Sequence, residues 1–322
     1  MNYRQLGRTT LKVSPLCFGT MTFGREADRD VSAAMFSRCR EAGINFFDCA
    51  DIYAGGESEK ILGDLIRGCR DEVVVTSKVY YSVGKKLQPV GLSRSYIMSA
   101  IEASLKRLGT DRIDIYFVHH FDEKTPLEET LGALDDLVRQ GKIRFAGASN
   151  FAAWQIEKAL GISAGQGWSR FECIQPMYNL VKRQAEVEIF PMAQAEKLGV
   201  ITYSPLGGGL LTGKYAEGRP SATGRLSTDD IYQRRYGDRW MHESVQAFVR
   251  LANESGADPV SLAVAWAAHH PAVTAPIIGA RNLEQLEASL GSLKVKMTAE
   301  LYREISALMP TPAPATDRSE EM

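Results

Sequence analysis

The chain has 322 residues, which is long enough for one α/β barrel or for two smaller domains. Its 38 Lys and Arg residues balance 39 Asp and Glu residues to a formal charge of −1. This charge offers no bulk attraction to nucleic acid or to an anionic membrane, so we expect neither as a partner. No run of about 18 apolar residues could span a bilayer, and the first residues lack the apolar segment of a signal peptide, so we expect a cytoplasmic protein.

Short runs rich in β-branched and aromatic residues recur eight times along the chain. They are LCFG around Leu16, INFFD around Phe46, VVVTSK around Val75, IDIYFV around Ile115, IRFAGAS around Phe145, FECIQP around Ile174, VITYS around Thr202 and APIIGA around Ile277. Stretches with the apolar spacing of a helix lie between them, for example residues 95–108, 126–140 and 185–198. The period of roughly 30 residues is what a strand with a crossover helix requires.

This alternation predicts an α/β protein whose eight parallel strands close into a (β/α)8 TIM barrel. An open, doubly wound sheet is the alternative, and the lack of a GxGxxG motif after any predicted strand counts against it. Residues 1–13 predict an N-terminal β-hairpin, and residues 207–240 predict a long loop after the seventh strand. We therefore predict one domain over residues 1–309 and a disordered tail over residues 310–322.

Four glycines mark the ends of predicted helices. Gly43, Gly109, Gly141 and Gly199 each follow an apolar helical run and precede a predicted strand. Glycine readily adopts the left-handed backbone conformation that closes many helices, so we expect a C-terminal cap at each of the four.

Polar residues stand where most of the predicted strands end, which is the face that carries the chemistry of β/α barrels. The second strand ends in Asp48, the third in Lys78 and the fourth in His119. The later strands end in further polar residues: Ser149, Asn150, Gln175, Tyr203 and Ser204. Taken one at a time, such residues are usually turn formers or solvated side chains. Their joint position on successive strand ends predicts a functional site at the mouth of the barrel.

The spacing of these residues indicates acid–base chemistry. Asp48 can pair with Lys78, and a buried Lys ammonium beside the phenol of Tyr53 would stabilise the phenolate. A tyrosine with its usual pKa of about 10 is a weak acid at neutral pH, so a cationic neighbour favours its use as a proton donor. His119 could then hydrogen-bond a substrate carbonyl and orient it. His119 and His120 are neighbours on a predicted strand and would point to opposite faces, so we expect no metal site.

Five segments, in this order along the chain, resemble the aldo-keto reductase superfamily. They are NFFDCADIYAGGESEKILG, VVVTSK, DRIDIYFVHH, GKIRFAGASNF and ITYSPLGGGLLTGKY. The resemblance extends from FGTMTFG (residues 18–24) to GARNLEQL (residues 279–286). It implies a nicotinamide-dependent reductase of aldehydes or ketones with a catalytic tetrad of Asp48, Tyr53, Lys78 and His119. Tyr53 would act as the acid, Lys78 linked to Asp48 would lower its pKa, and His119 would place the carbonyl.

The resemblance also implies where the cofactor binds. The nicotinamide carboxamide would contact Ser149, Asn150 and Gln175, and the ring would stack on Tyr203. Pyrophosphate would be covered by the loop after the seventh strand. The other implied residues are Gly19, Thr20, Met21 and Asp48 in the groove and Ser204, Leu206, Gly209 and Lys214 in that loop.

The adenosine end departs from the family pattern. Many members carry a Lys-Ser pair for the 2′-phosphate, whereas this chain has Gly279, Ala280 and Arg281, followed by Gln285. A guanidinium can bind a phosphate through two hydrogen bonds, so Arg281 favours NADPH as the cofactor, with NADH as the other candidate. Ser289 stands where relatives often carry an Asn for the adenine.

Four aromatic residues near the predicted mouth are candidates for a substrate pocket, and ordinary packing explains them equally well. They are Phe23, Tyr80, Phe121 and Trp240. Such a pocket would suit a bulky or hydrophobic small-molecule carbonyl compound.

Two other functions remain open. A lysine that closes a barrel strand could form a Schiff base if its pKa were depressed, which would make Lys78 the nucleophile of a lyase. Some members of the superfamily instead serve as non-catalytic, channel-associated subunits that retain the cofactor.

Overall fold

The computed structural model describes residues 1–83, 90–215, 224–316 and 318. Eight parallel strands form a closed barrel, which confirms the predicted (β/α)8 architecture. The barrel strands are β3 (Cys17–Gly19), β4 (Phe46–Asp48), β5 (Val74–Val79), β6 (Ile113–Val118), β7 (Ile143–Ser149), β8 (Phe171–Gln175), β9 (Gly199–Thr202) and β10 (Ala275–Ile278). They pair in chain order, and β10 closes the barrel against β3. Two short antiparallel strands, β1 (Arg4–Gln5) and β2 (Lys12–Val13), form the predicted hairpin.

Helices cover the outside of the barrel, as parallel strands joined by crossover connections require. They are α1 (Arg29–Glu41), α2 (Glu57–Ile66), α3 (Arg94–Leu108), α4 (Leu127–Arg139), α5 (Ala153–Gln166), α6 (Ile189–Ala195), α7 (Arg225–Thr228), α8 (Asp230–Tyr236), α9 (Arg239–Glu254), α10 (Pro259–His269), α11 (Leu283–Leu290) and α12 (Ala299–Ala307). Side-chain caps fix several of their starts. Ser93 accepts a hydrogen bond at the start of α3, and Asp258 does so at the start of α10.

One buried cluster joins the inside of the barrel to the N-terminal hairpin. Its members include Phe46, Ile115, Phe117, Ile201 and Ile277 from the barrel and Leu6, Leu11 and Val13 from the hairpin. The hairpin therefore closes the N-terminal end of the barrel. The opposite end, where the strands finish, is left to form a site.

Strand register brings polar side chains level with one another at that open end. Asp48 of β4 lies opposite Gly19 of β3 and Thr76 of β5. Ser149 of β7 lies opposite Gln175 of β8 in the same way. Residues far apart in the sequence are therefore brought together by backbone pairing alone.

Three of the four expected glycine caps are present. Gly43, Gly109 and Gly141 have φ angles of 85°, 61° and 72°. The expected cap at Gly199 is wrong, because this residue begins β9 and the left-handed residue is Lys197, with φ of 53°. A Cβ atom on Gly199 would lie 2.6 Å from the side chain of Leu6. Glycine is thus required there by the close approach of the hairpin.

The predicted helix over residues 185–198 is shorter than expected. It divides into a 3-10 turn at Gln184–Glu186 and helix α6. Proline lacks an N–H group and is tolerated in the first turn of a helix, so α6 begins at Ile189, two residues before Pro191.

The segment predicted as a long loop after the seventh strand contains helical structure. A 3-10 segment spans Gly207–Thr212, and α7 and α8 follow. Residues 216–223 of this segment lie outside the described residues. In the predicted disordered tail, residues 310–316 and 318 are described without helix or strand, and residues 317 and 319–322 lie outside the described residues. Disorder of the tail stays a prediction.

A glycine in α2 tests how closely two of the outer helices pack. A Cβ atom on Gly63 would lie 2.4 Å from the backbone oxygen of Leu108, which ends α3. We expect Gly63→Ala to destabilise the protein by about 1–3 kcal/mol, because backbone atoms cannot move aside as a flexible side chain can. Chemical denaturation of the variant measures the difference.

Gly161 provides the matched control. It lies in α5, and a Cβ atom there would meet nothing within 4 Å. Alanine favours the helix over glycine, so Gly161→Ala should stabilise the protein by about 0.5–1 kcal/mol. Destabilisation of equal size in both variants would show that helix packing at Gly63 is not the cause.

Candidate active site

The four predicted catalytic side chains meet at the C-terminal end of the barrel. Lys78 on β5 is completely buried, and its Nζ lies 2.7 Å from Oδ2 of Asp48 on β4. The same nitrogen donates to the Cys49 carbonyl oxygen at 2.7 Å and to the Tyr53 hydroxyl at 3.2 Å. His119, directly after β6, places its ring centroid 6.3 Å from that of Tyr53, at an interplanar angle of 79°.

Asp48 is fixed by three hydrogen bonds to side chains. Its Oδ1 accepts from the hydroxyl of Thr76 at 2.7 Å and from Nε2 of Gln175 at 2.9 Å, while Oδ2 accepts from Lys78. A buried carboxylate needs such partners because it has been removed from water. Asp48 is therefore a rigid anchor for the ammonium of Lys78.

The hydrogen bonds of Lys78 determine which way the proton of Tyr53 can point. A lysine ammonium has three donors and no acceptor. Its three short contacts go to Asp48, Cys49 and Tyr53, so the phenol oxygen must be the acceptor in the last of them. The hydroxyl hydrogen of Tyr53 is then available to another acceptor.

The backbone around Tyr53 explains how a loop residue is held so firmly. The chain after β4 keeps pairing with β5, through Cys49 N to Thr76 O at 3.1 Å and Asp51 N to Lys78 O at 3.3 Å. Tyr53 then opens a 3-10 segment, Tyr53–Gly56, in which Ala54 has φ of 50°. An alanine in the left-handed region is strained, and such strain is often found at functional sites.

Burial dominates the ionisation of Tyr53. It raises the pKa of the phenol to about 12, with the charge of Lys78 acting in the opposite direction and Asp48 adding to the rise. The ammonium thus lowers the pKa as expected, but by less than burial raises it. Tyr53 therefore keeps its proton throughout the neutral range.

His119 is a neutral imidazole at the same place. Burial, followed by the nearby charge of Lys78, holds its pKa well below the usual value of 6.5. A neutral imidazole can donate one hydrogen bond without bringing a second positive charge beside Lys78. This suits the role of orienting a substrate oxygen.

A second hydrogen-bonded group lies beside the tetrad. Asn150, at φ of 58°, donates through Nδ2 to the carbonyl oxygen of His119 at 2.9 Å and to Oγ of Ser149 at 3.1 Å. Its Oδ1 accepts from the hydroxyl of Tyr203 at 2.7 Å. Ser149 donates in turn to the carbonyl oxygen of Gln175 at 2.9 Å. The side chains implied for the nicotinamide end are therefore adjacent and linked to one another.

A cavity of about 780 Å³ runs over these groups. Residues predicted to bind the cofactor that line it are Gly19, Met21, Asp48, Ser149, Asn150, Gln175, Tyr203, Ser204, Leu206, Gly209, Lys214, Gly279, Arg281 and Gln285. Tyr53 and His119 line it as well. The volume lies within the range of cofactor and ligand sites.

Two residues predicted to bind the cofactor do not line this cavity. Thr20 is completely buried and donates to the backbone oxygen of Asp48 at 3.1 Å. Ser289 is also buried, and its hydroxyl has no hydrogen-bond partner among the described residues. Thr20 thus supports Asp48 from behind.

The four aromatic residues predicted for the substrate pocket do not line this cavity, although the ring centroid of Tyr80 lies 4.9 Å from that of Tyr81 and 5.3 Å from that of His120, which do. Phe23 is completely buried in the core beside Phe18, and Phe121 packs between Phe151 and Trp154. Tyr80 and Trp240 do not line the cavity either. Phe23 is instead packed between the helices and the barrel, and Trp240 lies on the outer helix α9.

Other residues line the cavity in their place: Tyr81, His120, Tyr232 and Arg235. Tyr81 directly follows Tyr80, so the prediction of Tyr80 missed it by one position in the sequence. Tyr232 and Arg235 belong to α8, and no strand-end pattern in the sequence marks them. His120 shares the cavity with His119, contrary to the expectation that they face opposite ways. Strand alternation does not apply to them, because β6 ends at Val118.

Asp51 is a buried carboxyl close behind the tetrad. Both of its carboxyl oxygens are buried without a hydrogen-bond partner among the described residues. Burial, together with the charge of Glu59, raises its pKa to about 8. It is therefore protonated in the folded protein at neutral pH, whereas an unfolded chain would ionise it near pH 4.

This difference predicts a pH-dependent gain in stability for Asp51→Asn. The folded state binds the extra proton between about pH 4 and 8, so the wild-type protein loses stability as pH rises through that window. The neutral amide removes that loss. Relative to the wild type, we therefore expect the free energy of unfolding of the variant to increase by on the order of 3–4 kcal/mol between pH 5 and pH 8. Urea unfolding at both pH values measures it. Asp30→Asn, at an exposed position of α1, is the matched control.

Comparison with known proteins identifies the family of the chain. The sequence model of the Aldo/keto reductase family matches residues 15–310. The chain is 36% identical to the uncharacterized oxidoreductase YrpG of Bacillus subtilis strain 168, over 98% of each chain. It is 35% identical to a probable voltage-gated potassium channel subunit beta of Oryza sativa subsp. japonica, over 96% of this chain and 97% of the relative. It is 32% identical to the versiconal hemiacetal acetate reductase of Aspergillus parasiticus, over 93% and 94%.

A closed barrel of eight parallel strands, with a buried Lys-Asp pair hydrogen-bonded to a tyrosine at the C-terminal ends of the strands, defines the class of protein. The chain belongs to the aldo/keto reductase family, and its relatives include oxidoreductases. In the described part of the chain, every helix is too short or too polar to traverse a membrane.

Proposed function

We propose that the protein reduces an aldehyde or ketone to the alcohol with NADPH, reversibly, and that Tyr53 supplies the proton. The observation that carries this proposal is the buried chain from Asp48 through Lys78 to the hydroxyl of Tyr53, which lines the cavity beside His119. We further propose a cytoplasmic enzyme with a small-molecule substrate, since the formal charge of −1 provides no bulk attraction to nucleic acid or to an anionic membrane.

The donor set along the cavity fits a nicotinamide dinucleotide. Amide and hydroxyl groups of Ser149, Asn150 and Gln175 would hold the carboxamide, and the ring of Tyr203 would lie against the nicotinamide. Cationic side chains line the rest of the cavity and would bind its phosphates. Gly279 leaves room beside the groove, since a Cβ atom there would meet only the backbone oxygen of Gly19, at 4.0 Å.

The residues divide the reaction between them. NADPH, when bound, supplies a hydride to the carbonyl carbon. Tyr53 gives its proton to the carbonyl oxygen, and the ammonium of Lys78, 3.2 Å away, stabilises the phenolate that forms. His119 holds the carbonyl oxygen in place as a neutral donor. Asp48 keeps Lys78 charged and correctly placed.

A Schiff-base lyase is the weaker alternative. A nucleophilic lysine must be a neutral amine, whereas the pKa of Lys78 is raised by Asp48 and Tyr53 in spite of its burial. Its three donors are also engaged. Borohydride should therefore trap no substrate adduct on Lys78.

A non-catalytic regulatory subunit of the same fold is the second candidate. Three relatives at 34–35% identity carry the name of a potassium channel subunit beta, which favours it. The complete tetrad favours the enzyme instead. Tight NADPH binding without turnover of any carbonyl in a broad panel would support the subunit.

The test is a panel of aldehydes, ketones and secondary alcohols followed at the nicotinamide absorbance with NADPH and with NADH. We expect turnover, with a preference for NADPH. Arg281 lines the cavity, with its Nη2 3.8 Å from Glu26, and we assign it to the adenosine end of the cofactor. Arg281→Met should raise the Kd for NADPH about 10-fold or more and change the Kd for NADH little, since a charge-assisted contact to phosphate is worth about 1.5–3 kcal/mol. Equal effects on both would contradict the assignment of the 2′-phosphate.

A further inference from the structure

The cofactor contacts proposed above assign an anion to two of the three cationic side chains that line the cavity. In the described part of the chain, the lining cations are Lys214, Arg235 and Arg281. Lys214 is proposed for the pyrophosphate and Arg281 for the 2′-phosphate. Arg235 therefore has no anion assigned to it.

No carboxylate of the protein neutralises Arg235 within the described residues. The carboxylates that line the cavity there are Asp48, which is paired with Lys78 at 2.7 Å, and Glu284, which lies beside Gln285 at the adenosine end. Described ion pairs within 4 Å do not include Arg235. A guanidinium in this condition favours an anion that comes from outside the protein.

The fold holds Arg235 in place. Its guanidinium lies 5.5 Å from the ring centroid of Tyr232, one turn earlier on α8. Tyr232 packs directly on the glycine-rich turn, since a Cβ atom on Gly208 would come within 2.5 Å of its ring. The next residue, Tyr236, is completely buried and its hydroxyl accepts from Asn179 at 3.2 Å. Helix α8 is thus anchored on both sides of Arg235.

Arg235 lines the same cavity as Tyr53, His119 and Tyr203. Its charge acts to lower the pKa of Tyr203, although burial of that phenol raises the pKa to about 12. Tyr203 is hydrogen-bonded to Asn150, which contacts the backbone of His119. A substrate bound beside Tyr53 and His119 would therefore share this cavity with the guanidinium.

We propose that Arg235 binds an acidic group of the substrate, so that the preferred substrates are aldehydes or ketones that carry a carboxylate. The inference rests on the proposed reductase function. A guanidinium matches a carboxylate through two parallel hydrogen bonds, which a neutral substrate cannot make. A guanidinium can also bind the pyrophosphate of the cofactor. The experiment therefore distinguishes a substrate carboxylate from the cofactor pyrophosphate as the anion bound by Arg235.

The kinetic test compares 4-carboxybenzaldehyde with its neutral amide, 4-formylbenzamide. We expect the wild-type protein to prefer the acid by about 10-fold or more in kcat/KM, mostly through KM, as a charge-assisted bond of this kind predicts. Arg235→Met should abolish the preference and leave the Kd for NADPH unchanged. Arg234→Met is the matched control, because Arg234 is exposed, does not line the cavity and contacts the backbone of Asp230. It should keep the preference.

Two kinetic results would overturn the inference while the reductase function stands. One is equal kcat/KM for acid and amide in the wild-type protein. The other is a weakened affinity for NADPH in Arg235→Met together with equal losses for both substrates, which would assign Arg235 to the cofactor.

A binding measurement makes the test independent of turnover. Calorimetry on the protein loaded with NADP+ should detect benzoate more tightly than benzamide, and Arg235→Met should lose the difference. Selective benzoate binding without any carbonyl turnover would keep the anion site and reject the reductase function. Equal binding of benzoate and benzamide would reject the anion site.

Discussion

Replacing Tyr53 with Phe is expected to lower kcat for carbonyl reduction by about 10²–10⁴-fold, the range typical of a positioned proton donor. The Kd for NADPH should change little, because the proposed contacts of the cofactor are made by other side chains. The phenol lies 3.2 Å from Lys78 and its own hydrogen is available to the substrate. Stopped-flow turnover and fluorescence titration with NADPH measure the two quantities separately.

Tyr3→Phe is the control for this experiment. It removes the same hydroxyl from a tyrosine that donates to the backbone of Gly43 at the closed end of the barrel. Its turnover should match that of the wild-type protein. Unchanged turnover in Tyr53→Phe would rule out the proposed proton donor.

Replacing Lys78 with Met is expected to affect both stability and activity. It leaves Asp48 buried without its cation, a change that typically destabilises a protein by about 3–5 kcal/mol. It also removes the charge that stabilises the phenolate of Tyr53. We expect a lower denaturation midpoint in urea and turnover close to the background rate.

A double variant separates the two effects. The double variant Asp48→Asn/Lys78→Met leaves no buried charge unpaired. Its loss in the free energy of unfolding should therefore be smaller than the sum of the losses in the two single variants. Activity should not recover, because the ammonium is still missing. Wild-type stability in the single variant Lys78→Met would contradict the assignment of a tightly coupled buried pair.

The sequence was sufficient to predict the barrel and the polar residues at the C-terminal ends of its strands. Periodicity places Asp48, Lys78 and His119 at strand ends, and register then brings those ends together whatever the details of the loops. Hydrophobic alternation in the sequence locates each strand and its end separately. Because all strands of a parallel barrel end at the same face, the residues at those ends form one site.

The sequence was less informative where a residue's surroundings come from distant elements. Gly199 looks like a helix cap, but its requirement for glycine comes from Leu6 in the hairpin. Phe23 looks like a pocket residue, but the core takes it up completely. Arg235 carries no strand-end signal, and it faces the cavity because α8 packs onto the glycine-rich turn.

The balance of charges at the tetrad also depends on burial that the sequence does not give. The spacing of Lys78 and Tyr53 predicts that the ammonium lowers the pKa of the phenol. In the folded protein, burial raises that pKa to about 12 in spite of the ammonium. A tyrosine that keeps its proton suits the reductive direction, while the oxidative direction would require the bound substrate to change this environment.

Isotope transfer measures directly whether the protein moves the cofactor's hydride to the substrate. NADPH labelled with deuterium at C4 of the dihydronicotinamide, prepared separately as each of the two C4 epimers, is incubated with the protein and the aldehyde that turns over best. We predict that one epimer delivers its deuterium to the carbinol carbon of the alcohol and that the other does not. An alcohol free of deuterium with both epimers, or no alcohol from any carbonyl in the panel, would contradict it.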